Sequence, residues 1–266
     1  MIKVKSCNDS QCKNILYKDN PSFSSIVLGN SKGDLWVNNI KKPTVALAYS
    51  RPVGGFSIMG IPEDYEIFLQ LLEGDFLAEL KENGFDYFEF SVEEPRLEKR
   101  LLEKFSDRII YEEDEYFYQK YDKNEVNELK NYTILAVDIE MINQLNSGGY
   151  NNPELLIEKI LDSWDSYEEF LFRSLGFIVI KGKLIVGVIL GTAVFERVVA
   201  IDIETHADHR KKGIAKTLTQ NFINACIHKE LVPQWNCVDS NIASRNTVES
   251  LGFKQIKKKP FYWFKL

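Results

Sequence analysis

Asp202 and Glu204 stand two residues apart near the end of the apolar run "RVVAIDIET". Read as a strand, the run puts both carboxylates on one face and Ile203 and Thr205 on the other. Two histidines follow, His206 and His209, and then the basic triplet Arg210, Lys211 and Lys212. Gly213 opens an amphipathic stretch whose apolar residues Ile214, Ala215, Leu218, Phe222, Ala225 and Cys226 recur at helical spacing to about His228. An apolar strand, a short basic loop and a helix opening at glycine make an anion site. The first amides of a helix have no partner within it, and its dipole favours negative charge there. A glycine lets a ligand reach the backbone where a Cβ would obstruct it. A solvated basic turn has the same composition, so the stretch alone leaves both readings open. A metal suits it poorly, because the two histidines have no nearby cysteine or third histidine.

The chain as a whole narrows the chemistry. Its 266 residues suffice for one large domain or two small ones. A net charge of -6 argues against non-specific binding of nucleic acid, which needs a basic face. No apolar run approaches the roughly 20 residues that span a bilayer, and the beginning "MIKVKSCNDSQCKN" lacks an apolar signal core. Cys7, Cys12, Cys226 and Cys237 fit neither a zinc site nor a disulfide framework, so free thiols in a reducing cytoplasm are expected, with Cys226 and Cys237 in the core.

The elements that must carry the loop come in two similar series. After some thirty residues read as irregular, "DLWVNNI", "TVALAYS" and "GGFSIMGI" are expected strands. A helix follows over residues 64–83, weakened at Gly74, then the strand "FDYFEFSV", a short helix from Pro95 to Phe105 and the strand "RIIYEEDEYFYQKY", whose acidic residues 112–115 also suit a solvated turn. The apolar-poor "KNEVNELKN" marks a boundary near residue 125. The second series opens with the strand "YTILAVD" and one or two helices over residues 141–175. A hairpin "GFIVIKGKLIVGVILGTAVF" and the Asp202–Glu204 strand come next, then the Gly213 helix, the strand "PQWNCV", a short helix from Ser244 to Leu251 and one or two closing strands. Each half thus runs strands, long helix, strand, short helix, strand, as two distant copies of one unit would.

Two motifs carry a family resemblance. Arg210-Lys211-Lys212-Gly213-Ile214-Ala215 resembles the acetyl-CoA signature of the GNAT N-acetyltransferase superfamily, Arg/Gln-x-x-Gly-x-Gly/Ala, between a strand and a long helix. Downstream, "NIASRNTVESLGF" is similar to the superfamily's pattern of Asn, a small residue and a closing Leu-Gly-Phe, here Asn241, Ser244, Leu251, Gly252 and Phe253. The pair covers roughly residues 126–266. The wording of both segments looks most like the branch containing the zwittermicin-resistance acetyltransferases, in which a poorly conserved N-terminal half precedes the catalytic half. The resemblance implies an α/β (α+β) protein. Residues 126–266 would form a mixed, mainly antiparallel sheet with helices on both faces, and residues 1–125 a degenerate GNAT-like domain.

What the resemblance implies for function is transfer of acetyl from acetyl-CoA, as cosubstrate, to a primary amine of a small molecule, with an aminated antibiotic or polyamine as the best match. Backbone amides from Lys211 to Ala215, including those of Lys212, Gly213 and Ile214, would hold the pyrophosphate, with Arg210 in the signature's first position. The strand edge at Ile203 to Thr205 would pair with the pantetheine amides as an added strand does, and Asn241 and Ser244 would border the pantetheine arm. A protonated amine of pKa about 10 is no nucleophile, so a general base is needed. Glu204 is the first candidate and Asp202 the second. Many superfamily members place a tyrosine acid seven residues after the asparagine; here that position is Val248. No acid is assigned, since a thiol leaves without one, and Tyr262 is expected to pair in the closing strand.

In the N-terminal half, Gly60 precedes a helix, but Pro62 removes a donor and Glu63 and Asp64 put negative charge where phosphate would lie. No cofactor site is expected there. His206 and His209 read as solvated loop residues, and Lys254, Lys257, Lys258 and Lys259 as a solvated basic edge strand. Trp235 and Trp263 read as core, as do Trp164, Tyr167 and Tyr150, which lie where the superfamily frames its acceptor. The rivals are a non-catalytic acyl-CoA sensor and a Fem-type aminoacyl transferase; the latter should carry a basic groove for aminoacyl-tRNA, which the net acidity opposes.

Overall fold

Short runs of β-branched and aromatic residues, punctuated by Gly, Pro and Asn, yield strands, and the longer amphipathic runs yield helices. A computed structural model describes residues 1–266. The chain divides into two compact units, Met1–Glu115 with Lys259–Leu266, and Tyr116–Lys258.

The first unit contains β1 (Ile2–Val4), α1 (Asp9–Cys12), α2 (Pro21–Val27), β2 (Asp34–Val37), β3 (Val45–Ser50), β4 (Gly55–Gly60), α3 (Tyr65–Leu71), α4 (Leu77–Glu82), β5 (Tyr87–Val92) and α5 (Pro95–Lys104). β6 (Tyr111–Gln119) begins in it. Its first four strands are successive antiparallel neighbours; β5 then joins β4 in parallel, after the crossover through α3 and α4. Helices cover both faces. Phe68, Phe76 and Leu101 pack with Phe56, Phe88 and Phe90 on one. Phe23 and Ile26 of α2 pack with Leu35, Ala46 and Met59 on the other. The first thirty residues are therefore not irregular. Their helix α2, "PSFSSIV", buries Ser22, Ser24 and Ser25, and these serines break up the apolar stripe that would announce a helix. The helix expected over residues 64–83 is one rod with a π turn at Leu72–Phe76, where Gly74 sits.

The second unit contains β7 (Thr133–Ala136), α6 (Ile139–Asn146), α7 (Glu154–Ser163), α8 (Tyr167–Arg173), β8 (Gly176–Lys181), β9 (Leu184–Phe195), β10 (Val198–Thr205), α9 (Ile214–His228), β11 (Val232–Val238), α10 (Ile242–Ser250) and the start of β12 (Lys254–Lys265). β7 to β10 are again antiparallel neighbours, and β11 joins β10 in parallel after α9. The expected mixed, mainly antiparallel arrangement with helices on both faces is present. Leu156, Ile160 and Phe170 of α7 and α8 pack on Ile178, Val188 and Leu190. Ile214, Leu218 and Phe222 of α9 pack on the opposite face, against Val186, Ile189 and Val199. Segment 141–175 makes three helices, because Trp164 turns extended after α7 to donate its Nε1–H to the Gly191 carbonyl at 3.0 Å.

Two readings are corrected in the first unit. Residues 112–115 lie within β6 and form no turn. Lys259 is no solvated edge lysine: it is buried, pairs with the Glu93 carboxylate and also donates to Ser91 Oγ at 3.2 Å. Glu93 accepts a further bond, at 2.7 Å, from the buried Asn20. Removing one partner of such a pair strands a buried charge, whereas replacing both need not. Lys259→Met is expected to lower the unfolding free energy by about 3–5 kcal/mol, and Glu93→Leu added to it to recover most of that. Denaturant unfolding of the wild type and both variants measures this; a near-neutral Lys259→Met would contradict it.

Candidate functional site

β10 pairs with β9 along its whole length, from Val198 to Thr205, but with β11 only from Val198 to Ala200. The register against β9 shifts between Ala200 and Ile201, a bulge that re-aims the strand. Beyond it β10 and β11 separate. The His206 N–H donates to the Val186 carbonyl on the β9 side at 2.9 Å. Backbone groups alternate in direction along a strand, so Ile203 and Thr205 turn their amide groups to the open side. Buried backbone groups require partners, and an open strand edge offers them to an extended ligand. The Thr205 carbonyl accepts from Arg210 Nε at 3.2 Å, while Thr205 Oγ1 is buried without a partner.

The open edge faces the start of α9. This helix, fifteen residues long, has no side-chain cap and no acid in its first turn. By contrast α3, α5, α6, α8 and α10 each have their N-terminal amides taken by a side chain. Lys211 (φ 60°) and Gly213 (φ 81°) are left-handed, and this folds the loop back over the helix start. A Cβ on Gly213 would meet only Leu129, 3.8 Å away, so packing does not explain the glycine. Its backbone conformation and the open space before the amides do.

Strand edge and helix start line one cleft of about 600 Å³. It brings together Ile203, Glu204, Thr205, Arg210, Lys211, Gly213, Ile214, Ala215, Asn241 and Ser244. Lys212 and Asp202 are not among its walls. Lys212 Nζ donates to the Asp208 carbonyl at 2.8 Å. Asn241 and Ser244 also serve the fold: Asn241 Oδ1 accepts from the Ser244 N–H at 3.1 Å, and Ser244 Oγ accepts from Trp235 Nε1 at 2.8 Å. Val248 is fully buried in the core beneath α10. Tyr262 lies in the first unit, pairs with Phe90 on β5 and donates to Glu98 Oε1 at 2.6 Å. Cys226 and Cys237 are buried free thiols, and burial pushes the Cys226 thiol up to about 12.

His209 corrects the solvated-loop reading. It is buried, lines the cleft and shares a 3.0 Å hydrogen bond between Nδ1 and the Tyr132 hydroxyl. Burial holds its imidazole below the ordinary histidine range, and Lys212, Lys181 and His206 add repulsion.

Sequence reasoning missed Lys159. From α7 its Nζ reaches Asp202 Oδ2 at 2.8 Å and Glu204 Oε2 at 2.9 Å. Burial pulls this ammonium down, but the two carboxylates outweigh it and hold its pKa above the ordinary lysine value. Position 159 in "PELLIEKIL" carries no signal pointing forty residues ahead.

Gly187 on β9 seats α9. A Cβ there would come within 2.7 Å of Ile214 Cγ2 and 3.1 Å of Leu218 Cδ1, the first turns of the helix. Gly187→Val is therefore expected to lift the helix start and cost about 1–3 kcal/mol in denaturant unfolding; an unchanged midpoint would contradict this seating.

A family model described as GNAT acetyltransferase matches residues 13–262. YdfB of Bacillus subtilis (strain 168), an uncharacterized N-acetyltransferase, is 28% identical over 100 residues; the match spans 38% of this chain and 38% of that protein's length. A GCN5-related N-acetyltransferase-like protein from Streptococcus suis superposes with a TM-score of 0.59 at 19% identity, covering 88% of both chains. A GCN5-related N-acetyltransferase from Kribbella flavida gives 0.56 at 12%, over 84% of this chain and 86% of its own. A tandem GNAT protein from the clavulanic acid biosynthesis pathway gives 0.52 at 11%, over 89% of this chain and 83% of its own. At these identities the structures share the fold.

Proposed function

The chain belongs to the GNAT acetyltransferase family, and we propose that it transfers acetyl from acetyl-CoA to the primary amine of a small molecule, one acetyl-CoA binding per chain, in the second unit. The observation that carries the reading is the open β10 edge beside the uncapped start of α9. The amides of residues 211–215 suit a pyrophosphate, with Lys211 and Arg210 adding positive field. The Ile203 edge suits the amides of a pantetheine arm. When bound, acetyl-CoA supplies an activated acyl group on a good leaving group.

Glu204 is the proposed base. It is exposed, borders the open edge and pairs with Lys159. Asp202 shares its face and completes a two-carboxylate cradle. That this cradle holds an alkylammonium in the resting chain supports an acceptor of the same chemistry, a primary ammonium. The resemblance to the zwittermicin-resistance branch adds an aminated antibiotic or a polyamine as the substrate class.

The first unit supports a single site by contrast. Its helix α3 is capped by Asp64, whose Oδ1 accepts from Glu66 and Ile67 at 2.9 and 3.1 Å. β4 pairs with β5 through Ile58, and the Glu93 N–H extends the pairing to the Ile58 carbonyl, so only Met59 and Gly60 of β4 lie beyond it. We read this unit as a GNAT-like domain without a cofactor site. Titration calorimetry with acetyl-CoA is expected to give a stoichiometry of one. Gly213→Asn tolerates the left-handed backbone and should keep the midpoint of unfolding while weakening binding at least tenfold. A stoichiometry of two, or wild-type affinity in Gly213→Asn, would contradict the assignment.

Glu204→Gln is expected to lower kcat about 100-fold or more with a panel of primary amines, to remove the acid limb of the pH–rate profile and to leave acetyl-CoA affinity within a few-fold. A near-normal kcat at every pH would exclude Glu204 as the base. Absence of turnover in the wild-type chain despite acetyl-CoA binding, across amines, would favour a sensor.

A further inference from the structure

We propose that Lys159 is itself an acetyl acceptor, modified within its own chain; this rests on the acetyl-CoA reading of the cleft. Lys159 is the one amine that the second unit delivers to the carboxylate pair, and it comes from α7, on the face opposite α9. Its Nζ lies 2.9 Å from Glu204, whose strand borders the cleft from the α9 side. Between these faces β10 and β11 part beyond Ala200 and Gln234, so no strand pairing closes the sheet there. A thioester laid along the Ile203 edge sits at this gap, with the lysine and its proton acceptor already assembled.

The step balances without a further reactant. Lys159 Nζ gives one proton to Glu204. Its freed lone pair bonds to the acetyl carbonyl carbon, and the carbon–sulfur bond breaks. The second proton on nitrogen passes to the departing thiolate, leaving an amide on Lys159 and free CoA. The amide carries no charge, so the two carboxylates lose their internal counter-ion and are left to an external ammonium.

Spontaneous acetylation would choose other lysines. The Lys159 side chain is 20% exposed and engaged by both carboxylates, whereas that of Lys99, for example, is 78% exposed. A small acetylating reagent that needs no cleft, acetyl N-hydroxysuccinimide ester, should therefore label exposed lysines such as Lys99 well ahead of Lys159.

The full chain is incubated with acetyl-CoA and peptide-mapped by mass spectrometry, with acetyl-CoA binding measured on the same sample. The expected result is one acetyl group, on Lys159, with a first-order rate independent of protein concentration and at least tenfold slower in Glu204→Gln. Lys159→Arg should show no acetyl group yet bind acetyl-CoA. Binding without acetylation of Lys159, a pattern matching that of the small reagent, or a rate rising with protein concentration would each overturn the proposal while leaving the acetyl-CoA site standing. Failure to bind acetyl-CoA would remove both.

Discussion

The site depends on one interruption of backbone pairing. β10 and β11 begin as a parallel pair and stop after three residues, while β10 runs on for five more against β9 alone. A strand within a sheet normally spends its amide and carbonyl groups on both neighbours. Here Ile203 and Thr205 spend theirs on neither, and only the Thr205 carbonyl finds Arg210. The bulge at Ala200, the seating of α9 on Gly187 and the left-handed Gly213 all keep an uncapped helix start beside that edge. A ligand with an extended amide chain at one end and a phosphate at the other matches both.

The first unit repeats the sequence of elements and closes both openings. Its parallel pair is followed at once by Glu93, whose N–H continues the pairing and whose carboxylate is buried against Lys259 and Asn20. Its crossover helix spends its first amides on Asp64. The backbone groups left open in one unit are satisfied internally in the other.

Much of this was legible in the sequence. The strand, the basic triplet and Gly213 announced an uncapped helix start, and Asp64 announced a capped one, because caps and charges act within a turn. Asn241 and Ser244 of the downstream motif line the same cleft, while its Leu251 and Phe253 are core. What was hidden depends on contacts between distant positions. Lys159 meets Asp202 across forty-three residues, His209 meets Tyr132 across seventy-seven, and Lys259 meets Glu93 across one hundred and sixty-six. A lysine in a strand of lysines reads as solvated until its opposite face is known. The serines of α2 likewise read as loop residues until the sheet that buries them is in place.

The central claim is that the open β10 edge and the α9 start form one binding surface for acetyl-CoA. Backbone amide hydrogen exchange with and without CoA tests it most directly. The account predicts that CoA slows exchange at Ile203 and Thr205 and at residues 211–215 together, and leaves residues 60–67 of the first unit unchanged. Protection at residues 60–67, or none at Ile203 while residues 211–215 are protected, would contradict it.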